Sequence, residues 1–262
     1  MLLKTIVCSG VNEKNKIDEA VDFLKKYPNV EFGVQCSPKK AGFGTERFDW
    51  LEALTTALDE AQINGRVALH LNEGFAVSFA DGIVPDEVSS ILSKTSAIGR
   101  LQLNFKLGRE VFENGRIAPN LSKLQSAIEQ VDGHKLIMSA SKANLPLIAK
   151  MHHRKMKFDA LFDDSFGEGL LPKSRQEPLF DDVFQGYAGG ISPENVACEL
   201  EKIAKVATGA VFIDAEGKLK DTGVFSIEKA EQYVQNALLW REQNPNQIQQ
   251  AFLKSSPHDL TS

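Results

Sequence analysis

Residues 184–206 read FQGYAGGISPENVACELEKIAKV and contain one complete strand, turn and helix. The apolar run Phe184–Ala188 predicts a strand, and Gly189-Gly190 predicts the turn that follows it. We expect Ser192 to cap a helix over Pro193–Val206, because a hydroxyl accepts a bond from a free backbone N–H and proline suits the first helical position. A strand followed at once by an amphipathic helix is the repeating unit of a parallel sheet.

The same unit recurs along the chain. Eight short apolar runs predict strands, namely Leu3–Cys8, Val30–Gln35, Val67–Leu71, Leu101–Asn104, Lys135–Ser139, Ala160–Asp164, Phe184–Ala188 and Val211–Asp214. Seven amphipathic patterns predict helices, namely Ile17–Lys26, Phe48–Ile63, Val88–Ser93, Leu121–Val131, Asn144–His152, Pro193–Val206 and Ile227–Trp240. The sixth connection, 165–183, contains glycine, proline and charges and is typical of a functional loop.

Eight such units close most economically as a single (β/α)₈ barrel, and a doubly wound open sheet is the alternative because periodicity does not report closure. We assign residues 1–242 to the barrel. Residues 243–262 are rich in Asn and Gln near their start and are predicted to form a C-terminal tail outside it.

Composition restricts the class of partner. The 262 residues include 30 Lys plus Arg and 35 Asp plus Glu, a net charge of −5 that argues against binding nucleic acid. The sequence has neither an apolar run of ~20 residues nor a signal-peptide pattern, so we expect a cytoplasmic protein without a membrane partner. Three cysteines are too few for a disulfide framework, and no metal-ligand spacing is present. We expect a monomer or homodimer that acts on a small molecule.

The chemistry of an α/β barrel lies at the carboxyl ends of its strands. The polar and ionisable residues at these ends are Cys8, Gln35, Cys36, Asn72, Glu73, Asn104, Asp163, Asp164 and Asp214. Because strand side chains alternate between faces, at most one of Asp163 and Asp164 can face the barrel. Cys8 and Cys36 are equally typical of small buried hydrophobes, and His70 is typical of a core histidine whose hydrogen bonds are satisfied.

Glycines follow the last two strands. Gly189-Gly190 and the expected helix start at Ser192 could hold an anion, since glycine lets backbone N–H groups approach a ligand closely. Gly217 follows the eighth strand, and barrels that bind phosphate esters often build their site from these two loops.

In their order along the chain, these strand ends resemble those of the phosphoribosylanthranilate isomerase family. The similar motifs are Ile6-Val7-Cys8-Ser9-Gly10 with K-I-C-G, Ser37-Pro38-Lys39 with S-P-R, Leu71-Asn72-Glu73 with V-N-E, Leu101-Gln102-Leu103-Asn104 with Q-L-H-G, Ala160–Ser165 with A-L-L-L-D-S, Gly189–Val196 with G-G-[IL]-x-P-E-N-V, and Asp214–Gly217 with D-x-S-S-G. The matches extend from about Lys4 to Val234. In the first motif Ser9 is an additional residue.

The resemblance implies a cofactor-free isomerase of tryptophan biosynthesis. Its reaction would be the Amadori rearrangement of N-(5-phosphoribosyl)anthranilate, with Cys8 as general base and Asp164 as general acid. Lys39 would bind the anthranilate carboxylate, and Asn104 would be a further polar contact. Gly189, Gly190 and Gly217 would bind the phosphate, and Asp214 would contact the sugar or amine.

Glu216 stands where the family has serine beside its phosphate site. A like charge at ~4 Å costs about 4 kcal/mol at an effective dielectric near 20, unless Glu216 turns outward or pairs with Lys218 or Lys220. Two alternatives therefore stay open, a barrel that binds a different phosphosugar and a non-catalytic paralogue.

Overall fold

A computed structural model describes residues 1–104, 120–163 and 169–245. Eight parallel strands form a closed barrel in which each strand pairs with the next along the chain and the eighth pairs with the first. They are β1 (Leu2–Ser9), β2 (Val30–Cys36), β3 (Val67–Leu71), β4 (Ile98–Leu103), β5 (Lys135–Ser139), β6 (Asp159–Phe162), β7 (Gln185–Tyr187) and β8 (Ala210–Ala215). The predicted (β/α)₈ barrel is thus confirmed.

Nine helices surround the barrel within the described residues. They are α1 (Ile17–Lys26), α2 (Pro38–Ala41), α3 (Glu46–Glu60), α4 (Gly74–Ala80), α5 (Asp86–Leu92), α6 (Leu121–Gln130), α7 (Leu145–His153), α8 (Val196–Val206) and α9 (Ile227–Gln243). A 3₁₀ turn (Gly217–Leu219) and a small antiparallel pair, β9 (Lys220–Asp221) with β10 (Val224–Phe225), separate β8 from α9. The sequence did not predict α2, which has only four residues, or α4, whose residues Gly-Phe-Ala-Val-Ser-Phe-Ala lack the polar face of an amphipathic pattern. Residues 246–262 of the predicted tail lie outside the described ranges.

The predicted start of α8 is wrong. The helix begins at Val196, and residues 192–195 form a turn in which the Ser192 carbonyl accepts a bond from the Val196 N–H. The Ser192 N–H donates to Asn195 Oδ1 at 2.8 Å, and Asn195, the residue before the helix, makes no side-chain capping bond to it. The N–H of Ser192 is therefore already used within the chain.

Side chains of the strands fall into two layers. Val7, Ile137, Leu161, Ala188 and Phe212 form a small cluster inside the barrel. Their chain neighbours point the other way and join the large core between barrel and helices. Which of these two layers a residue enters decides whether it can reach the mouth.

Charged residues lie at the amino-terminal end of the barrel interior. Arg100 donates to Glu31 through Nε and Nη2, at 2.9 and 2.7 Å, and its Nη1 lies 3.4 Å from Asp159 Oδ2. The guanidinium also stacks 4.3 Å from the ring centroid of Phe212. All three charged side chains are buried. We call Glu31, Arg100 and Asp159 the floor triad.

No helix in the described ranges is both long enough and apolar enough to cross a membrane.

Candidate functional site

Asp214 lies near the carboxyl end of β8 and is 8% exposed. Ser9 Oγ, at the end of β1, donates a hydrogen bond to Asp214 Oδ1 at 2.6 Å. Burial raises the pKa of Asp214 to about 7, and the negative charges of Glu216 and Asp163 add to this effect against the hydrogen bond from Ser9. A buried carboxyl that titrates near neutrality at a strand end is suited to accept and to return a proton.

Glu216 follows β8 and faces the mouth of the barrel. Its Oε1 accepts hydrogen bonds from Gln35 Nε2 and Lys220 Nζ, both at 2.7 Å. Burial disfavours the charged form, but the bond and charge of Lys220 outweigh it and hold the pKa of Glu216 below its usual value. Glu216 is therefore an ionised group paired with Lys220, one of the two partners that the sequence suggested.

A row of amide side chains lies at the mouth, at the carboxyl ends of β3 and β4. Gln102 Nε2 donates to Asn104 Oδ1 at 2.9 Å, and Asn104 Nδ2 donates to Asn72 Oδ1 at 3.0 Å. Asn72 Nδ2 in turn donates to the His70 carbonyl at 2.8 Å. Each bond fixes the orientation of the next amide. The predicted contact residue Asn104 is the middle member of this row, which we call the amide row.

His70 lies inside the barrel below the amide row and is 2% exposed. Among the described residues its Nε2 has no hydrogen-bond partner, so the expectation of a satisfied core histidine is wrong there. A Cβ built on Gly33 would lie 2.7 Å from this nitrogen and 2.2 Å from Ser9 Oγ, which shows that both groups border the same space. Burial lowers the pKa of His70 to about 4, and the imidazole is neutral at physiological pH.

Cys8 is not placed with these groups. It is fully buried in the layer between barrel and helices, while its neighbours Val7 and Ser9 face the interior. Burial raises the pKa of the Cys8 thiol well above its usual value, and the charge of Asp214 raises it further. A general base needs the opposite shift. The structure therefore does not support Cys8 as the base, and the additional Ser9 occupies the inward position.

Only one of the two acids after β6 lies within the described residues. Asp164, the predicted general acid, lies outside them. Asp163 is described, and its Oδ1 lies 3.4 Å from the point where a Gly189 Cβ would stand. Its charge also raises the pKa of Asp214. Asp163 therefore lies close enough to Asp214 for its charge to act on it.

The glycine pair after β7 does not form an open anion cradle. A Cβ on Gly190 would lie 2.6 Å from the Leu171 backbone nitrogen and 2.9 Å from the Leu170 carbonyl carbon. The chain's own loop after β6 therefore fills the space beside Gly190. Gly189 and Gly190 have φ of +83° and +66°, values that favour glycine, so the turn itself explains this pair.

Arg175 fixes this closed arrangement. The buried guanidinium donates to the carbonyls of Ala188 and Gly189, at 2.5 and 3.5 Å. Its Nη2 also lies 2.7 Å from the buried carboxylate of Glu199 on α8. The sequence analysis missed Arg175, because its partners lie 13 to 24 positions away and no local sequence pattern predicts such pairs.

The other predicted site residues stand at the rim. Lys39 is exposed on α2, directly after β2. Gly217 opens the 3₁₀ turn beside Glu216, and a Cβ there would meet nothing within 4 Å. Within residues 1–104, 120–163 and 169–245, no group of three histidines, cysteines or acids is arranged to hold a metal ion.

The structure is a closed (β/α)₈ barrel with a titratable carboxyl and a row of amides at the carboxyl ends of its strands, the face where barrel enzymes place their active sites. Among solved structures the chain is similar to N-(5'-phosphoribosyl)anthranilate isomerase from Pyrococcus furiosus, with a TM-score of 0.51, 12% identity, and coverage of 90% of this chain and 98% of that one. It also matches a chain of the tryptophan synthase complex from the same organism, with a TM-score of 0.46, 14% identity, and coverage of 94% and 100%.

At these identities the likeness to the isomerase establishes the shared barrel fold. No protein-family model matches the sequence, and no curated protein matches it.

Proposed function

We propose that the barrel mouth catalyses a proton-transfer isomerisation of a small hydroxylated carbonyl compound, with Asp214 as the acid–base group. The observation that carries this proposal is the environment of Asp214: a buried strand-end carboxyl, held by Ser9 at 2.6 Å, with a pKa raised to about 7 by burial and neighbouring charge. The efficiency of a general acid–base group is greatest when its pKa lies near the working pH.

In the proposed reaction Asp214 removes the proton from the carbon beside the carbonyl, and an enediolate forms. The same carboxyl then returns this proton to the former carbonyl carbon, while the hydroxyl proton passes from its own oxygen to the former carbonyl oxygen, which converts an aldose into a ketose without a change in oxidation state overall. Ser9 orients the carboxyl, since its hydroxyl occupies Oδ1 and leaves Oδ2 for the reacting carbon. The amide row offers donors and acceptors that match the hydroxyl groups of such a substrate.

The Amadori rearrangement of N-(5-phosphoribosyl)anthranilate is the more specific form of this chemistry that the sequence resemblance implies. It requires a general acid, for which Asp164 is the proposed residue, and a phosphate site beside Gly217 or the glycine pair. Glu216 is paired with Lys220, so its charge does not decide against a phosphate, but the filled space at Gly190 argues for a different substrate. A different substrate is therefore the version that we favour.

Solvent exchange tests the proposal without a known substrate. The protein is incubated in D₂O with a panel of aldoses, ketoses and amino sugars, with and without phosphate, and deuterium at the carbon beside the carbonyl is followed by NMR. We expect enzyme-dependent incorporation with at least one compound. Asp214→Asn should lower its rate by ~10²–10⁴, the usual range for a positioned acid–base group.

Asp221→Asn is the matched control, because Asp221 is an exposed carboxylate that faces Lys229 outside the mouth, and we expect it to keep the wild-type rate. N-(5-phosphoribosyl)anthranilate made in situ belongs in the panel, and its consumption would favour the Amadori reaction. Incorporation that persists in Asp214→Asn would refute the assigned role of Asp214. No incorporation with any compound would favour the alternative of a binding protein.

A further inference from the structure

His70 occupies the part of the barrel interior that lies between Asp214 and the amide row. On β3 it pairs in register with Gln35 on β2 and with Gln102 on β4, so these three side chains share the inner face of the sheet. Gln35 donates to Glu216 on one side, and Gln102 begins the amide row on the other. A substrate with its reacting carbon at Asp214 and its hydroxyl groups on the amide row therefore passes over the imidazole.

The glycine at position 33 allows the imidazole to lie beside the group that holds Asp214. A Cβ on Gly33 would lie 2.7 Å from His70 Nε2 and 2.2 Å from Ser9 Oγ, so any larger residue would displace one of the two. His70 thus reaches from β3 across β2 to the hydroxyl on β1 that donates to Asp214 Oδ1. Its Nε2 is close to the pair at which the proposed reaction begins.

This nitrogen has an unmet hydrogen bond. Nε2 is buried, and among the described residues it has no partner. A polar atom without water or a protein partner costs free energy unless a ligand supplies its bond. An oxygen of a substrate that enters the mouth between Asp214 and the amide row would supply it.

The imidazole is also in the protonation state that can serve two oxygens. Burial lowers the pKa of His70 to about 4, the charge of Arg100 lowers it further, and the charge of Glu216 opposes both. At neutral pH the ring therefore has one N–H donor and one nitrogen lone pair. Such a group can give a proton to one oxygen and take a proton from another.

The proposed isomerisation needs a carrier for its second proton. Asp214 moves hydrogen between the two carbons, while the hydroxyl proton must pass from its own oxygen to the former carbonyl oxygen. Ser9 already donates to Asp214, and Glu216 already accepts from Gln35 and Lys220. The amide row binds hydroxyl groups, but Asn and Gln side chains do not titrate near neutral pH. Of these described groups at the mouth, His70 alone combines an unmet bond with the ability to transfer a proton.

We infer that His70 is a second catalytic residue of the mouth and carries the proton between the two oxygens of the reacting carbons. As Asp214 removes the carbon-bound proton, Nε2–H gives its proton to the carbonyl oxygen, so an N–H bond breaks and an O–H bond forms. The nitrogen then takes the proton of the neighbouring hydroxyl, and that oxygen becomes the carbonyl of the ketose. Asp214 returns its proton to the former carbonyl carbon. Protons and electrons balance without a further reactant. The inference rests on the proposed function, since it adds a residue to the same reaction.

The ratio of exchange to conversion tests this assignment. With the sugar that gives the fastest exchange in D₂O, NMR follows both the deuterium in recovered substrate and the amount of product. His70→Gln keeps an N–H donor but cannot carry a proton, so we expect it to lower conversion by ~10²-fold and exchange by less than about tenfold. Asp214→Asn should lower both. His153→Gln, which changes an exposed histidine on α7, is the matched control and should keep both rates.

A second measurement follows His70 without turnover. The wild-type chain with ¹⁵N-labelled histidine is titrated with hydroxamates of four- to six-carbon aldonic acids, whose two adjacent oxygens imitate the enediolate. We expect the Nε2 resonance of His70 to report a neutral ring at pH 7 and to shift when at least one hydroxamate binds. The resonances of His153 should not move.

An unchanged ratio in His70→Gln, or equal losses of exchange and conversion, would overturn the inference, as would hydroxamates that bind without moving the His70 resonance. In those cases the proposed function stands if exchange still depends on Asp214. Exchange that persists in Asp214→Asn while the ratio rises in His70→Gln would refute the role of Asp214 alone. If no sugar is exchanged and no hydroxamate moves the His70 resonance, both proposals fail.

Discussion

The two ends of the barrel interior use buried charge in opposite ways. At the floor, Arg100 lies between Glu31 and Asp159, and its nitrogens are engaged by both carboxylates. At the mouth, Asp214 is equally buried, but its hydrogen bond comes from a neutral hydroxyl, and the charges of Glu216 and Asp163 raise its pKa against the smaller opposing effect of Arg100. In a compensated cluster the loss of one partner leaves a buried charge unpaired, whereas an uncompensated cluster already costs stability and is retained at sites that bind or react.

This contrast predicts that the floor is where a single charge matters most for stability. Arg100→Met removes the cation and leaves two buried carboxylates facing each other, which should cost about 3–5 kcal/mol of unfolding free energy. Urea denaturation at pH 7 measures the loss. Lys94→Met is the matched control, since Lys94 pairs with Glu52 on the surface and should change stability by less than about 1 kcal/mol. Similar losses in the two variants would remove the distinction between the floor and the surface.

At the mouth, removal of a buried charge should raise the free energy of unfolding instead of lowering it. Asp214 has a pKa of about 7 in the folded chain against 3.8 for an ordinary aspartate, so the folded state holds the proton more tightly. Its contribution to stability is therefore largest below pH 4, falls as pH rises from about 4 to 7, and is lowest above pH 7. We expect Asp214→Asn, which cannot ionise, to be more stable than wild type by roughly 2–4 kcal/mol at pH 8 and equally stable near pH 4.

Urea midpoints across this pH range, with Asp221→Asn in parallel, measure the effect. Asp221 is exposed, and its variant should follow the wild-type profile. A difference between Asp214→Asn and wild type that does not change with pH would mean that Asp214 ionises as an ordinary aspartate, and its assignment as the acid–base group would fail.

The fold was more predictable from sequence than the site. Strands buried on both faces appear as continuous apolar runs, and all eight were located with ends within a few residues. The site depends on which face each residue takes, and a shift of one position reverses that face. Cys8 and Ser9 are adjacent, yet one lies behind the strand and the other bonds Asp214.

Alternation along the strand could have found Ser9, because inward positions recur every second residue, as Val7 and Ser9 do on β1 and Arg100 and Gln102 do on β4. The sequence contains no comparable pattern that predicts the filled space beside Gly190. The pairing of Arg175 with Glu199 and the contact of Leu171 with Gly190 join distant parts of the chain. A glycine pair after a strand looks the same in sequence whether its space is open or filled.

Two glycine variants test whether the space beside Gly190 is occupied in solution. Gly190→Ala introduces a Cβ at φ +66° and within 2.6 Å of the Leu171 nitrogen. Gly44→Ala is matched to it, since Gly44 has φ +74° and nothing within 4 Å of the added atom. Both share the cost of a left-handed residue, about 1–2 kcal/mol, and Gly190→Ala should lose a further 1–3 kcal/mol, roughly, through overpacking. Equal losses in urea denaturation would show that Leu170 and Leu171 leave the cradle open in solution.

The smallest expected effect concerns the thiol behind the mouth. In the native chain iodoacetamide should modify Cys198, which is exposed, and leave Cys8 and Cys36 unmodified, because both are buried and burial raises their pKa values, that of Cys36 to about 12. Mass spectrometry of digests made before and after unfolding in urea gives the three rates, and Cys198→Ser should make the native chain almost inert. We expect Cys8 to react at least ~10³-fold more slowly than Cys198, since its modification must wait for an opening of the fold. Modification of Cys8 at a rate similar to that of Cys198 would instead place a reactive thiol at the mouth, and the thiol would then replace Asp214 as the first candidate for the base.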